Sequence, residues 1–161
     1  MVIEEFKFNI KVYDSIDELD KKDSELLTEA RNATKHAYAP YSKFKVGAFA
    51  TLINGQTVSG TNQENASYPA GICAERTLLS TASSLFPGIG IETIAISYNN
   101  SKGKSDTPIS PCGICRQSFV EFQERTNTTM RLILSGLEGK VLIIENAANL
   151  LPLVFGANDI A

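Results

Sequence analysis

The stretch MRLILSGLEGKVLIIE, residues 130–145, decides how the sheet of this chain closes. Two apolar runs, 130–135 and 141–145, read as buried strands, and only Gly136, Leu137, Glu138, Gly139 and Lys140 separate them. A parallel crossover needs about a dozen residues or more, whereas a connection this short closes an antiparallel hairpin. The last two strands are therefore predicted to be antiparallel.

Working outward from that hairpin, residues 112–125 read as a helix. Residues 99–110, rich in Ser, Asn, Lys and Pro, read as an exposed loop, and 91–98 as a strand. A second helix begins around Cys73 and ends near Leu85, where Phe86-Pro87-Gly88 stops it. Residues 61–69 form a polar loop. Before it stand two strands, 43–53 and 56–60, joined by a tight turn at Asn54-Gly55. A first helix is predicted over 15–39, with Leu19, Leu26, Leu27, Ala30, Ala33 and Ala37 on its apolar side. Asp14, Ser15 and Asp17 are its candidate caps, and Pro40 its stop. Phe6, Phe8, Ile10 and Val12 alternate with polar residues, as in a half-buried strand. Helices alternating with strands imply an α/β fold, a sheet covered on both faces in three α/β/α layers. No repeat or linker divides the chain, so one domain is expected over residues 1–161, with 1–14 as a strand-like extension.

The 161 residues, 43% hydrophobic and 20% charged, suit a soluble globular domain. The net charge of −3 argues against a protein whose main partner is a nucleic-acid polymer. No run reaches the length of a membrane span. Glu4 and Glu5 break the basic-then-apolar order of a secretory leader, so a cytoplasmic location and no membrane partner are expected.

Three cysteines cannot all pair with one another, so a disulfide framework explains them poorly. Cys112 and Cys115 form a Cys-x-x-Cys, and Cys73 lies far upstream with Glu75 two residues after it. Three thiolates hold Zn²⁺ and leave a fourth tetrahedral position open, the mark of a catalytic rather than a structural site. Water at that position is acidic enough to need only a nearby proton carrier, and Glu75 is placed for the task. Both cysteine motifs fall at predicted helix starts, where the macrodipole favours negative charge. Arg76 adds a hydrogen-bond donor for thiolate sulfur.

Each residue has a plainer reading. A lone Cys-x-x-Cys also occurs in redox pairs and structural zinc knuckles. Cys73 alone suits a small buried hydrophobe, and Glu75 alone a solvated helix residue. Phe44 begins a strand and suits the core. Asn62 and Glu64 suit local turn capping, and Phe155 can pack on its own tail.

The joint pattern, with Pro111 ahead of the second cysteine pair, resembles the cytidine deaminases of the small, three-cysteine, homotetrameric type. The resemblance runs over residues 33–155. It includes Ala39-Pro40-Tyr41-Ser42-Lys43-Phe44 with Val46-Gly47-Ala48, then Asn62-Gln63-Glu64-Asn65-Ala66-Ser67-Tyr68. Cys73-Ala74-Glu75-Arg76, Pro111-Cys112-Gly113-Ile114-Cys115-Arg116-Gln117, and Leu150-Leu151-Pro152 with Phe155 complete it.

This resemblance implies a mixed five-stranded sheet and hydrolysis of cytidine and 2′-deoxycytidine, in pyrimidine salvage. Cys73, Cys112 and Cys115 would bind one Zn²⁺ per subunit, and Glu75 would shuttle protons. Asn62 and Glu64 would hydrogen-bond the ribose 3′-hydroxyl, Phe44 would pack on the pyrimidine, and the Ala74 backbone would touch the base. Phe155 and the region from Asn65 to Tyr68 would reach a neighbouring subunit's pocket. Cys73 stands where dimeric and polynucleotide-editing relatives carry His. Gln63 stands where an apolar residue is common.

Three rivals differ from this reading. A deaminase of another cytosine nucleoside, such as a nucleoside antibiotic, lacks the Asn-x-Glu-Asn loop present at Asn62. A polynucleotide editor joins its last strands by a helix. A zinc-stabilised binding module without catalysis needs a fourth protein ligand.

Overall fold

The sheet has six strands in the order β1-β6-β5-β4-β2-β3, and three helices cover it. The structure, a computed structural model, describes residues 1–160. The strands are β1 (Lys11–Tyr13), β2 (Phe44–Leu52), β3 (Thr57–Thr61), β4 (Ile91–Asn100), β5 (Arg131–Ser135) and β6 (Val141–Ile144). The helices are α1 (Lys21–Ala33), α2 (Ala74–Leu85) and α3 (Gly113–Thr126).

Strand alternation sorts the core into two layers. Ala95 of β4 and Ile133 of β5 face α1, where they pack with Leu26, Leu27 and Ala30. Ile94 and Ile96 of β4, with Leu132 and Leu134 of β5, face α2 and α3 and pack with Leu78, Ala82, Phe119 and Phe122. The three-layer arrangement expected from the sequence is present. As predicted, β5 and β6 are antiparallel, with Leu134 opposite Leu142. The longer route through α3 lets β4 and β5 run parallel.

Three expectations are corrected. The sheet has six strands instead of five, because Lys11–Tyr13 of the extension pairs antiparallel with β6. That strand is also shorter than the alternation from Phe6 to Val12 suggests. Register explains it: Lys11 lies opposite Ile143, and β6 ends at Ile144. The backbone then turns, with Asn146 Oδ1 accepting from the Ala148 amide, so residues before Ile10 find no ladder partner. Finally, the first helix starts at Lys21, with Asp20 accepting from the Asp23 amide as its cap. Ser15 does cap, but only a short 3-10 turn over Ile16–Glu18, and a second such turn over Thr34–His36 follows α1.

The β2–β3 hairpin closes through Ile53, Asn54 and Gly55. Gly55 takes φ +80° while its amide donates to the Leu52 carbonyl, a conformation that suits glycine. Two other glycines set distances between layers. A Cβ at Gly47 would collide with the Ala30 carbonyl of α1, and one at Gly60 with the Ala74 carbonyl and Leu78 amide of α2. The first turn of α2 therefore lies directly on the β3 backbone.

Candidate active site

Cys73 and Cys112 are the N-cap residues of α2 and α3. Their carbonyls accept the first helical hydrogen bonds, from the Thr77 and Arg116 amides at 3.0 Å each. Neither thiol is spent as a cap. Helix starts from two parts of the chain thus converge. Cys73 Sγ lies 3.7 Å from Cys112 Sγ, and Cys112 Sγ lies 3.4 Å from Cys115 Sγ. All three sulfurs sit within 4.8 Å of one another. A zinc–sulfur bond of about 2.3 Å makes the edge of a thiolate tetrahedron about 3.8 Å, so the trio fits one zinc ion. Among the described residues this is the one cluster of His, Cys, Asp or Glu close enough to hold a metal. His36 is exposed beside Glu29 in a separate groove, so no fourth protein ligand joins the thiols among the described residues.

The three thiols differ in acidity. Hydrogen bonding with Cys115, then with Cys112, pulls Cys73 down to about 6 against its burial, and Arg76 adds a favourable charge. Cys115 moves the other way: its hydrogen bond to Cys73, burial, and the charges of Glu75 and Cys73 push it up. Metal binding replaces such shared protons. Glu75, only 6% exposed, is pushed above the ordinary carboxylate range chiefly by burial, with the Cys73 charge adding to it. A carboxyl whose hold on its proton is strengthened in this way can both take and return a proton.

A cavity of about 470 Å³ opens over this cluster. Cys73, Ala74, Glu75 and Cys112 line one part of its wall, and Asn62 and Glu64 another. The loop carrying Asn62 and Glu64 is held from both sides. Tyr38 pairs with it through the Asn62 carbonyl and Glu64 amide, and Ile72 through both backbone groups of Gln63. Asn62 Oδ1 accepts from the Val46 amide at 2.7 Å, and Asn62 Nδ2 donates to the Phe44 carbonyl at 2.9 Å. Glu64 Oε2 accepts from the Tyr41 and Ser42 amides at 2.9 and 3.3 Å. Hydrogen bonding from the Ser42 side chain, then from these amides, holds the Glu64 carboxyl below its usual range.

The cytidine and deoxycytidylate deaminase zinc-binding region, as a family model, matches residues 20–130. The chain belongs to this family. A cytidine deaminase of Sporosarcina psychrophila is 36% identical over 84% of this chain and 93% of its own length. One of Halalkalibacterium halodurans is 36% identical over 83% and 94%. Among solved structures, the cytidine deaminase of Burkholderia pseudomallei is 38% identical, with a TM-score of 0.70 over 81% of this chain and 97% of that one. The Mycobacterium tuberculosis cytidine deaminase is 28% identical, with a TM-score of 0.63 over 86% and 99%. Membership in a zinc-binding deaminase family and the fit of the thiol trio make zinc the cofactor of this site.

The structure brings Cys73, Cys112, Glu75, Ala74, Asn62 and Glu64 around one cavity, with Cys115 buried beside the other two thiols. Arg76 borders it too, acting on Cys73 as a nearby charge, and makes no hydrogen bond to sulfur among the described residues. Two aromatics lie outside the cavity wall. The Phe44 ring stacks on Tyr98, centroids 4.8 Å apart and planes at 17°. Phe155 is 63% exposed in the tail, its carbonyl taking a hydrogen bond from Gln117 Nε2.

Sequence reading assigned no role to Arg116, which braces the zinc loop. Its Nε donates to the Pro111 carbonyl at 2.9 Å and its Nη1 to the Leu150 carbonyl at 3.2 Å. Val46, Ile72 and Ile109 supply apolar cavity wall. No spacing rule marks these residues, because their partners come from other elements.

Proposed function

We propose that the chain hydrolyses cytidine and 2′-deoxycytidine to uridine and 2′-deoxyuridine, releasing ammonia. The observation that carries this reading is a zinc-sized trio of thiols beside a buried carboxyl in one nucleoside-sized cavity. Zinc held by Cys73, Cys112 and Cys115 supplies Lewis acidity that lets water react at neutral pH. Glu75 takes the proton that the attacking water gives up and delivers it to N3 of cytosine. It then carries a second proton to the 4-amino group, so that one water is consumed and one ammonia leaves. Its raised affinity for protons suits both transfers. The N-termini of α2 and α3 offset the negative charge of the thiolates.

The sugar end follows from hydrogen-bond capacity. Asn62 has spent its carbonyl and one N–H on β2, which leaves one N–H to give. Glu64 has spent Oε2 on two amides, which leaves Oε1 to accept. A hydroxyl accepts from the first and donates to the second, as a ribose 3′-hydroxyl would. The Ala74 backbone, in the cavity wall, is assigned to the base. Phe44, stacked on Tyr98 through one ring face, is assigned to the base, and its carbonyl already orients Asn62.

We further propose a cytoplasmic homotetramer in which Phe155 of one copy completes the cavity of another. Leu153, Val154 and Phe155 are all exposed, an apolar cluster that such assembly covers. No helix among the described residues is long and apolar enough to cross a membrane. The antiparallel β5–β6 pair and the net charge of −3 both speak against a polynucleotide substrate.

A panel of cytidine, deoxycytidine, free cytosine and a cytosine-containing oligonucleotide, assayed for ammonia with the zinc-loaded protein, tests the reading. Turnover is expected for the two nucleosides. Absence of turnover on both would overturn it.

A further inference from the structure

The segment ahead of α1 has a chemistry that the active site does not use, and it precedes the residues matched by the family model. β1 is an edge strand, so one side of its backbone pairs with β6 and the other faces solvent. Tyr13 turns toward the α1 layer and packs there. By strand alternation Val12 faces the opposite way, and an extension of the strand toward the N-terminus would carry Ile10, Phe8 and Phe6 on that same stripe. Val12 is 58% exposed, Ile10 44% and Phe6 55%, a row of apolar side chains beside an open backbone edge. Natural edge strands of this kind are normally blunted or covered.

The polar positions between them identify what covers this one. Antiparallel pairing of the segment with a second copy must keep the apolar stripes on one face, which allows only every other register. Setting Lys7 opposite itself, or opposite Lys11, brings like charges together. Centring on Phe6 sets Phe8 opposite Glu4, and centring on Ile10 sets Phe6 opposite Asp14. With Phe8 on the twofold axis every lysine finds a compatible neighbour while Phe6, Phe8 and Ile10 all stay opposite apolar residues. Glu5 falls opposite Lys11 of the second copy, Lys7 opposite Asn9, Phe6 opposite Ile10, and Phe8 opposite Phe8. This register also continues β1 itself, since Lys11–Tyr13 is already a strand. Lys11, now 2.6 Å from Glu145, would then lie between two carboxylates.

We propose that residues 3–13 form a self-complementary strand that joins two copies of this chain edge to edge, with Phe8 on the twofold axis. The pairing is isologous, so each open edge takes a single partner edge. It buries far less than the roughly 1,600 Å² of a standard interface, so the link is concentration-dependent.

Sedimentation velocity of the full-length, zinc-loaded protein tests it. Phe8→Asp, which sets two carboxylates against each other on the axis, is expected to lower the mass of the largest species. Glu5→Lys is expected to do the same, and mixing it with Lys11→Glu to restore the higher mass. Because Lys11→Glu also disturbs the contact with Glu145, a second readout fixes the register. Mild oxidation of Phe8→Cys is expected to link two copies through position 8, mapped by peptide analysis, whereas Phe6→Cys gives no link through position 6. Unchanged mass in Phe8→Asp, or a link through position 6 in place of position 8, would overturn the proposal.

Discussion

At the β2–β3 end of the sheet, helix backbone rests on strand backbone, whereas at the β5–β6–β1 end charged side chains make the joints. Gly47 and Gly60 let α1 and α2 approach so closely that neither position has room for a Cβ. Across the sheet, Arg131 of β5 makes a bidentate ion pair with Asp23 of α1, both bonds 2.6 Å. It also reaches Glu145, which in turn pairs with Lys11 of β1. The thiol of Cys73 stands at the glycine end, directly before the turn of α2 seated on Gly60. Backbone contact leaves little freedom to shift, which suits a metal ligand that must be placed within a few tenths of an ångström. Ion pairs between longer side chains tolerate movement, and that end carries a joint to an extension, not a reaction centre.

The sharpest way to break this comparison is Gly60→Val. The branched side chain must push the first turn of α2 off the sheet, with an expected loss near the top of the overpacking range, about 3 kcal/mol. Zinc retention should fall with it, read as zinc per chain after dialysis. Gly47→Ala is the control: it crowds α1, which carries no ligand, and should lower stability while leaving zinc bound. Equal zinc loss in both would show that the β3–α2 contact has no special part in placing Cys73.

At the other end, Asp23→Ala leaves Arg131 without its buried partner. Because the Arg131 side chain keeps 23% of its exposure, water softens the loss to about 2 kcal/mol, measured by denaturant unfolding. Activity of the surviving folded protein should be unchanged. Within the cavity, Glu64→Gln should lower kcat/KM for cytidine by about tenfold or more, since it weakens a charged acceptor already holding two amides. The effect should shrink for a substrate lacking the 3′-hydroxyl.

The smallest effect concerns Glu145. The hydrogen bond from Lys11, with the Arg131 charge, lowers its folded-state pKa below the ordinary 4.5. Its contribution is therefore complete above that value and disappears as pH falls through the lowered one. Glu145→Gln should remove this part of the acid sensitivity, at a cost of at most about 0.5 kcal/mol near neutral pH once solvent screening is counted.

Much of this was legible in residue order because the deciding signals are local. The short link between the last two strands dictates their direction, and Cys73 and Cys112 mark helix starts that the structure reproduces. What was not legible depends on partners far along the chain. The N-terminal strand stops where β6 runs out, a limit that lies about 130 residues away. Asn62 resembles a turn residue until β2 is in place to hold both ends of its amide. Phe44 finds Tyr98 because Phe44 is opposite Asn100 in the β2–β4 ladder, which makes Tyr98 its diagonal neighbour. The cap at Asp20 competes with three upstream candidates, and only packing of Leu26 and Leu27 on the sheet selects it.

Glu75→Gln, assayed for zinc content and cytidine turnover on the same preparation, addresses the chemistry most directly. Zinc should remain at the wild-type level while kcat falls by about 10²–10⁴-fold, the contribution of a general acid–base group. Near-normal turnover with zinc bound would contradict the assignment of proton transfer to this buried carboxyl.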